Sequence, residues 1–132
     1  MKAAGRDRDG RSGTVLLVED SDVVRDVVAK FLEGVGLTVL QASGGEEALA
    51  LARREDAPID LLLTDIVMPS MSGLELADRM ERVRPDVRIL FMTGYADEVV
   101  ANAGILGEHR ECIGKPFTQE QITTRVRKIL SP

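Results

Sequence analysis

The chain of 132 residues has no tryptophan, one tyrosine, three phenylalanines, one cysteine and one histidine. A single thiol, Cys112, excludes an internal disulfide and a cysteine-rich metal site, and is consistent with a reducing compartment. Cys112 itself reads as a small buried apolar side chain. With aromatics scarce, Leu, Val and Ala must supply the core. The single histidine, His109, lies in the polar stretch Gly107-Glu108-His109-Arg110-Glu111 with no adjacent nucleophile, and reads as surface. Long apolar runs are missing too, and no charged segment precedes one, so neither a transmembrane helix nor a signal peptide is expected and the protein is placed in the cytoplasm. Positive charge is in short supply. Four basic and two acidic residues fall in positions 1–13, leaving thirteen basic and twenty acidic, a net charge of −7, from Thr14 onward. A surface that acidic argues against direct binding of nucleic acid.

What is present is ordinary for a soluble globular chain: 44% apolar and 30% charged residues, at a length that fits one domain and leaves no room for a second. Residues 1–13, rich in Gly, Arg and Asp and without apolar period, read as a disordered leader or linker, which puts the domain at 14–132. From Thr14 short apolar runs alternate with amphipathic stretches five times, the pattern of a doubly wound α/β fold with a parallel sheet. Strands are expected at 14–18, 37–42, 59–64, 87–92 and 111–114. Helices are expected at 22–33, where Val24, Val27, Val28, Phe31 and Leu32 form one stripe, from an N-cap at Ser43 to about 54, at 74–83, at 97–103, and after a capping box of Thr118 and Gln121. The methionines Met68, Met71, Met80 and Met92 read as packing rather than as thioether ligands.

Three signals far apart in the chain would meet in such a fold. Glu19-Asp20 follows the first apolar run, Asp65 follows Ile59-Asp60-Leu61-Leu62-Leu63-Thr64, and Lys115-Pro116 follows the fifth. Open α/β sheets place their chemistry outside the carboxyl ends of their strands. Three carboxylates brought together there repel one another and raise a pKa unless a cation joins them, and hard oxygen ligands select Mg²⁺ or Mn²⁺. An ammonium from Lys115 adds a partner for phosphoryl oxygens, leaving Asp65 as nucleophile and an aspartyl phosphate as product. Thr93, at the end of the fourth strand, adds a hydroxyl that could bond a phosphoryl oxygen.

Val18-Glu19-Asp20, Thr64-Asp65-Ile66-Val67-Met68-Pro69 with Gly73, Thr93-Gly94 and Lys115-Pro116-Phe117 together resemble the CheY-like receiver domains of response regulators, over about 14–130. The resemblance implies a (βα)5 flavodoxin-like three-layer sandwich with strand order 2-1-3-4-5. It implies that Asp65 accepts phosphate from a histidine kinase or a histidine phosphotransfer domain. It also implies that Asp20, Asp65 and the Val67 carbonyl bind Mg²⁺ with Glu19 acting largely through water, that Lys115 contacts the phosphoryl group, and that Lys115-Pro116 is cis. Thr93 would move inward and change the surface formed by 97–103, the fifth strand and the last helix, which a downstream protein or a covalently linked domain would read. In one place the pattern departs: where many receivers carry Tyr or Phe, three residues before the lysine, this chain has Cys112. Tyr95 either takes that switching role, or the aromatic switch is absent, or Tyr95 simply covers the site.

The reading is therefore a phosphorylatable signalling domain rather than a turnover enzyme: a stand-alone regulator, a relay member, or a piece of a hybrid sensor kinase. Two rivals stand beside it. A Mg²⁺-dependent phosphatase with an aspartyl nucleophile, of the haloacid-dehalogenase type, would want a second Asp two residues after Asp65, where Val67 stands. A receiver-like interaction module would never be phosphorylated, yet here the acidic and lysine set is complete.

Overall fold

The computed structural model describes residues 13–54, 56, 58–94 and 110–131. Five strands are present among them: β1 Thr14–Val18, β2 Thr38–Ala42, β3 Leu61–Asp65, β4 Arg88–Thr93 and β5 Arg110–Gly114. All neighbours are parallel and the sheet order is β2-β1-β3-β4-β5. Four helices accompany them: α1 Asp22–Glu33, α2 Gly45–Ala52, α3 Gly73–Val83 and α4 Gln119–Leu130. The expected helix at 97–103, together with Tyr95, His109 and residues 1–12, lies outside the described residues.

The strands are short apolar runs because both faces of the sheet are covered. In β1 the side chains alternate, Leu16 and Val18 pointing to one layer and Val15 and Leu17 to the other. The first layer joins Leu62, Ile89 and Phe91 to Ala48 and Leu49 of α2 and Leu76 and Met80 of α3. The second joins Leu61, Leu63, Leu90 and Met92 to Val28 and Leu32 of α1 and Ile122 and Val126 of α4. Three of the four expected packing methionines, Met71, Met80 and Met92, are buried, and Met68 is half-buried against the first layer.

Three sequence expectations need correction. Ser43 is not the N-cap of α2: Gly44 holds that position without a side-chain bond, and the Glu47 carboxylate reaches back to accept from the Ser43 N–H at 2.8 Å and its hydroxyl at 3.0 Å. In α1 the predicted inward stripe is wider than the core, since Val27 is 43% exposed and packs at the rim of an open groove with Val23, Phe31 and Phe117. Cys112 is half-buried rather than buried, and contacts the first layer.

Candidate functional site

The chain steps from β1 outward to β2 and then returns across β1 to β3, so the strand order reverses between β1 and β3. A crevice opens at such a reversal, beyond the carboxyl ends of the strands. Glu19 and Asp20 follow β1 there, Asp65 ends β3, Thr93 ends β4 and Lys115 follows β5. Register brings them level: Val18 pairs with Thr64, Asp65 with Met92 and Thr93 with Gly114. Together with Val67, Met92 and Gly94 they line a cleft of about 180 Å³.

Loops hold these side chains from behind. The Lys115 N–H donates to the Thr93 carbonyl at 2.8 Å, which carries the β4–β5 pairing one residue further and aims the lysine at the crevice. The Lys115–Pro116 peptide is cis. Behind Asp65, Ile66 N–H donates to the Met92 carbonyl, and Gly73 N–H donates to the Ile66 carbonyl at 2.7 Å. Helix α3 starts so close to the strand end that a Cβ on Gly73 would stand 1.9 Å from the Asp65 carbonyl oxygen. Only glycine permits that approach. Ser72 then caps α3 by accepting from Glu75 N–H.

Lys115 Nζ bonds both Glu19 Oε1, at 2.8 Å, and Asp65 Oδ1. Glu19 and Asp65 are buried, and Asp20 stands exposed at the rim. Each of the three carboxylates offers an oxygen within 4.8 Å of the others. Three hard anionic donors with an open side fit Mg²⁺ or Mn²⁺, which keep part of their water shell, better than a metal that prefers nitrogen or sulfur.

The comparisons with known proteins agree with this architecture. Residues 15–127 match the response regulator receiver domain model. The chain belongs to the response regulator receiver family. Sensor kinase CckA of Brucella abortus is 35% identical over 90% of the chain, which spans 13% of that kinase's length. The response regulator receiver protein CpdR of the same organism is 36% identical over 88% of the chain and 95% of its own length. Among solved structures, the receiver domain of the hybrid histidine kinase CckA superposes with a TM-score of 0.78 at 32% identity, covering 90% of this chain and all of that one. The chain is thus a receiver domain of two-component signalling with the CheY-like fold, and among its described residues no helix is long and apolar enough to cross a membrane.

The receiver's site is electrostatically tense. Burial pushes Asp65 up to about 7, the neighbouring Glu19 adds to the rise, and the bond to Lys115 opposes it. Burial also pushes Glu19 upward, but its bonds with Asp65, with Lys115 and with the Ser21 N–H outweigh that and hold it below the usual carboxylate range. Burial works against the Lys115 charge, yet its bonds to Asp65 and Glu19 keep the ammonium above its ordinary value. Of the two buried carboxyls, Asp65 is therefore the one that holds a proton more readily and Glu19 the one that gives it up more readily.

Sequence reasoning named Glu19, Asp20, Asp65, Val67, Thr93 and Lys115, and all six line one cleft; Tyr95 lies outside the described residues. It missed the residues that hold them. Ser21 N–H donates to Glu19 Oε2 at 3.0 Å, and Arg25 Nη1 donates to the Glu19 carbonyl at 2.7 Å. A signal for Arg25 was present: a basic side chain near the positive end of a helix runs against the helix dipole and asks for a local reason.

Proposed function

We propose that residues 14–132 form a phosphoacceptor domain whose nucleophile is Asp65 and whose donor is a phosphohistidine, on a histidine kinase or a histidine phosphotransfer domain. The observation that carries this is the ammonium of Lys115 lying between the two buried carboxylates of Glu19 and Asp65, with Asp20 at the open side. An Asp65 oxygen attacks phosphorus while the phosphorus–nitrogen bond of the donor breaks, and the imidazole nitrogen leaves with the bonding electron pair. Lys115 then has a phosphoryl oxygen to bond in place of the Asp65 oxygen. Glu19 and Asp20, with Asp65 and the Val67 carbonyl, are the ligands we assign to Mg²⁺, which when bound supplies neutralising charge at the phosphoryl oxygens. Thr93, at the end of β4, would donate to a phosphoryl oxygen, and through it the modification would alter the surface of β5 and α4 that a downstream protein or a linked domain reads.

The acceptor role is favoured over a phosphatase by Val67. Its side chain is 75% exposed at the lip of the cleft and has no acid with which to assist repeated turnover. Incubation with acetyl phosphate and Mg²⁺, followed by intact-mass measurement, should add one phosphate in a stoichiometric burst. Asp65→Asn should add none. Full labelling of Asp65→Asn, or steady hydrolysis of a phosphomonoester by the wild type, would defeat the assignment.

A further inference from the structure

Every polar atom of Glu19 has a partner: its N–H donates to the Ala42 carbonyl, Oε1 accepts from Lys115, Oε2 from the Ser21 N–H, and its carbonyl from Arg25 Nη1. Asp20 is the opposite case. Its carboxylate accepts no hydrogen bond among the described residues, and it stands exposed at the rim. What orients Asp20 is the backbone on which it sits. The peptide between Glu19 and Asp20 is planar, so a bond to the Glu19 carbonyl restrains the Asp20 N–H and the position of the Cα from which its side chain leaves.

Arg25 makes that bond, and its geometry suits the task. Its side chain is 17% exposed, and while Nη1 holds the Glu19 carbonyl, Nη2 bonds Asp22 Oδ1 at 2.6 Å. The two bonds leave one planar fork in two directions, which an ammonium on a flexible stem cannot reproduce with one rigid group. Helix α1 is anchored in turn by the Ser21 hydroxyl, which accepts from Val24 N–H, so the clamp is mounted on a rigid element.

We propose that Arg25 is a positioning residue for the cation site: by clamping the Glu19–Asp20 peptide it holds the Asp20 carboxylate, which accepts no hydrogen bond among the described residues, where it meets those of Glu19 and Asp65. This rests on the reading of Glu19, Asp20 and Asp65 as metal ligands. Partners in the shell behind metal ligands typically change affinity by about 10- to 100-fold when removed.

The sign of the effect separates positioning from charge. Deleting a cation beside a cation site should, by Coulomb's law alone, tighten Mg²⁺ binding. If Arg25 positions Asp20, its removal must weaken binding instead. Titration calorimetry with MgCl₂ on the full chain is the test, with metal-free melting followed in parallel. Arg25→Met keeps the length and apolar stem of the side chain, and we expect it to bind Mg²⁺ about tenfold more weakly than wild type well below its melting temperature. A variant that is merely less stable would bind as wild type does under those conditions. Arg25→Lys keeps the charge without the fork, and a loss of about threefold or more is expected; it decides the matter if Arg25→Met does not fold. Wild-type or tighter binding in the folded variant overturns the role of Arg25 while leaving the site intact. Absence of Mg²⁺ binding in the wild type, or binding undiminished in Asp20→Ala, brings down the site's reading and this proposal with it.

Discussion

At the scale of single residues the site stores an unfavourable arrangement that a ligand can relieve. Asp65 ionises at about 7 in the folded metal-free protein, against 3.8 for an unperturbed side chain, because burial and Glu19 disfavour its charge more than Lys115 favours it. The folded state therefore holds more protons than the unfolded state between these values. Stability contributed by the protonated group is fully present below pH 4 and is lost as pH rises through 7. Asp65→Asn has no such charge to bury. It should melt close to wild type near pH 4 and above it by roughly 4 °C or more at pH 8, where a destabilisation of about 1 kcal/mol or more is in force. Saturating Mg²⁺ should close much of that gap at pH 8, since a cation replaces the proton. Thermal melts at both pH values, with and without MgCl₂, provide the check, and a constant difference across pH would show that Asp65 is already ionised in the metal-free fold.

At the scale of elements, the strands were legible to within about two residues because each is an apolar run bounded by polar or turn residues, and the two-sided burial of β1 and β3 leaves little freedom in placing them. The capping box of Thr118 and Gln121 was equally legible, and both of its bonds are present. Less legible was α2, where Ser43 resembles an N-cap but Glu47 reaches back past two glycines to bond it; composition shows the partners and not which of them moves. The site carboxylates could be read from their positions at strand ends, whereas for Arg25 the sequence offered only an oddly placed charge near a helix start and not its partner, since the acceptor is a backbone carbonyl that has no letter in the sequence. Gly73 belongs with these hidden supports. Its missing Cβ would press against backbone, not a movable side chain, so Gly73→Ala should force α3 away from the end of β3 at a cost of about 2 kcal/mol or more. Because the displaced atom is the Asp65 carbonyl, labelling by acetyl phosphate should slow as well. Gly44→Ala, whose Cβ would meet nothing within 4 Å, should cost below about 1 kcal/mol, and equal costs for the two in urea unfolding would refute the steric account.

At the scale of the whole molecule, the question is how one phosphoryl group at Asp65 could reach a surface on the far edge of the sheet. A ligand shifts a conformational equilibrium only through contacts that are better in one state than in the other. In the proposed mechanism Thr93 would supply one such contact through its hydroxyl; its carbonyl is already bonded to the Lys115 N–H, so β4 and β5 end in a common connection. From β5 the path continues to α4, because Arg125 Nη1 donates to the Cys112 carbonyl at 2.9 Å. Displacement at Thr93 is thereby tied by backbone bonds to β5 and by one guanidinium to the last helix, whichever role Tyr95 takes. Thr93→Ala should still accept phosphate, since Asp65, Lys115 and the acidic pair are untouched. The amide chemical-shift changes that beryllofluoride produces in β5 and α4 should fall to less than about half of those in wild type, as expected when the contact that distinguishes the two states is gone. Cys112→Ala should behave in the opposite way: its side chain packs against the first core layer, so it should lower stability and leave the shift changes in place. A wild-type map in Thr93→Ala would mean that the phosphoryl group acts through Lys115 alone, and Lys115→Arg would then be the variant in which the response fails.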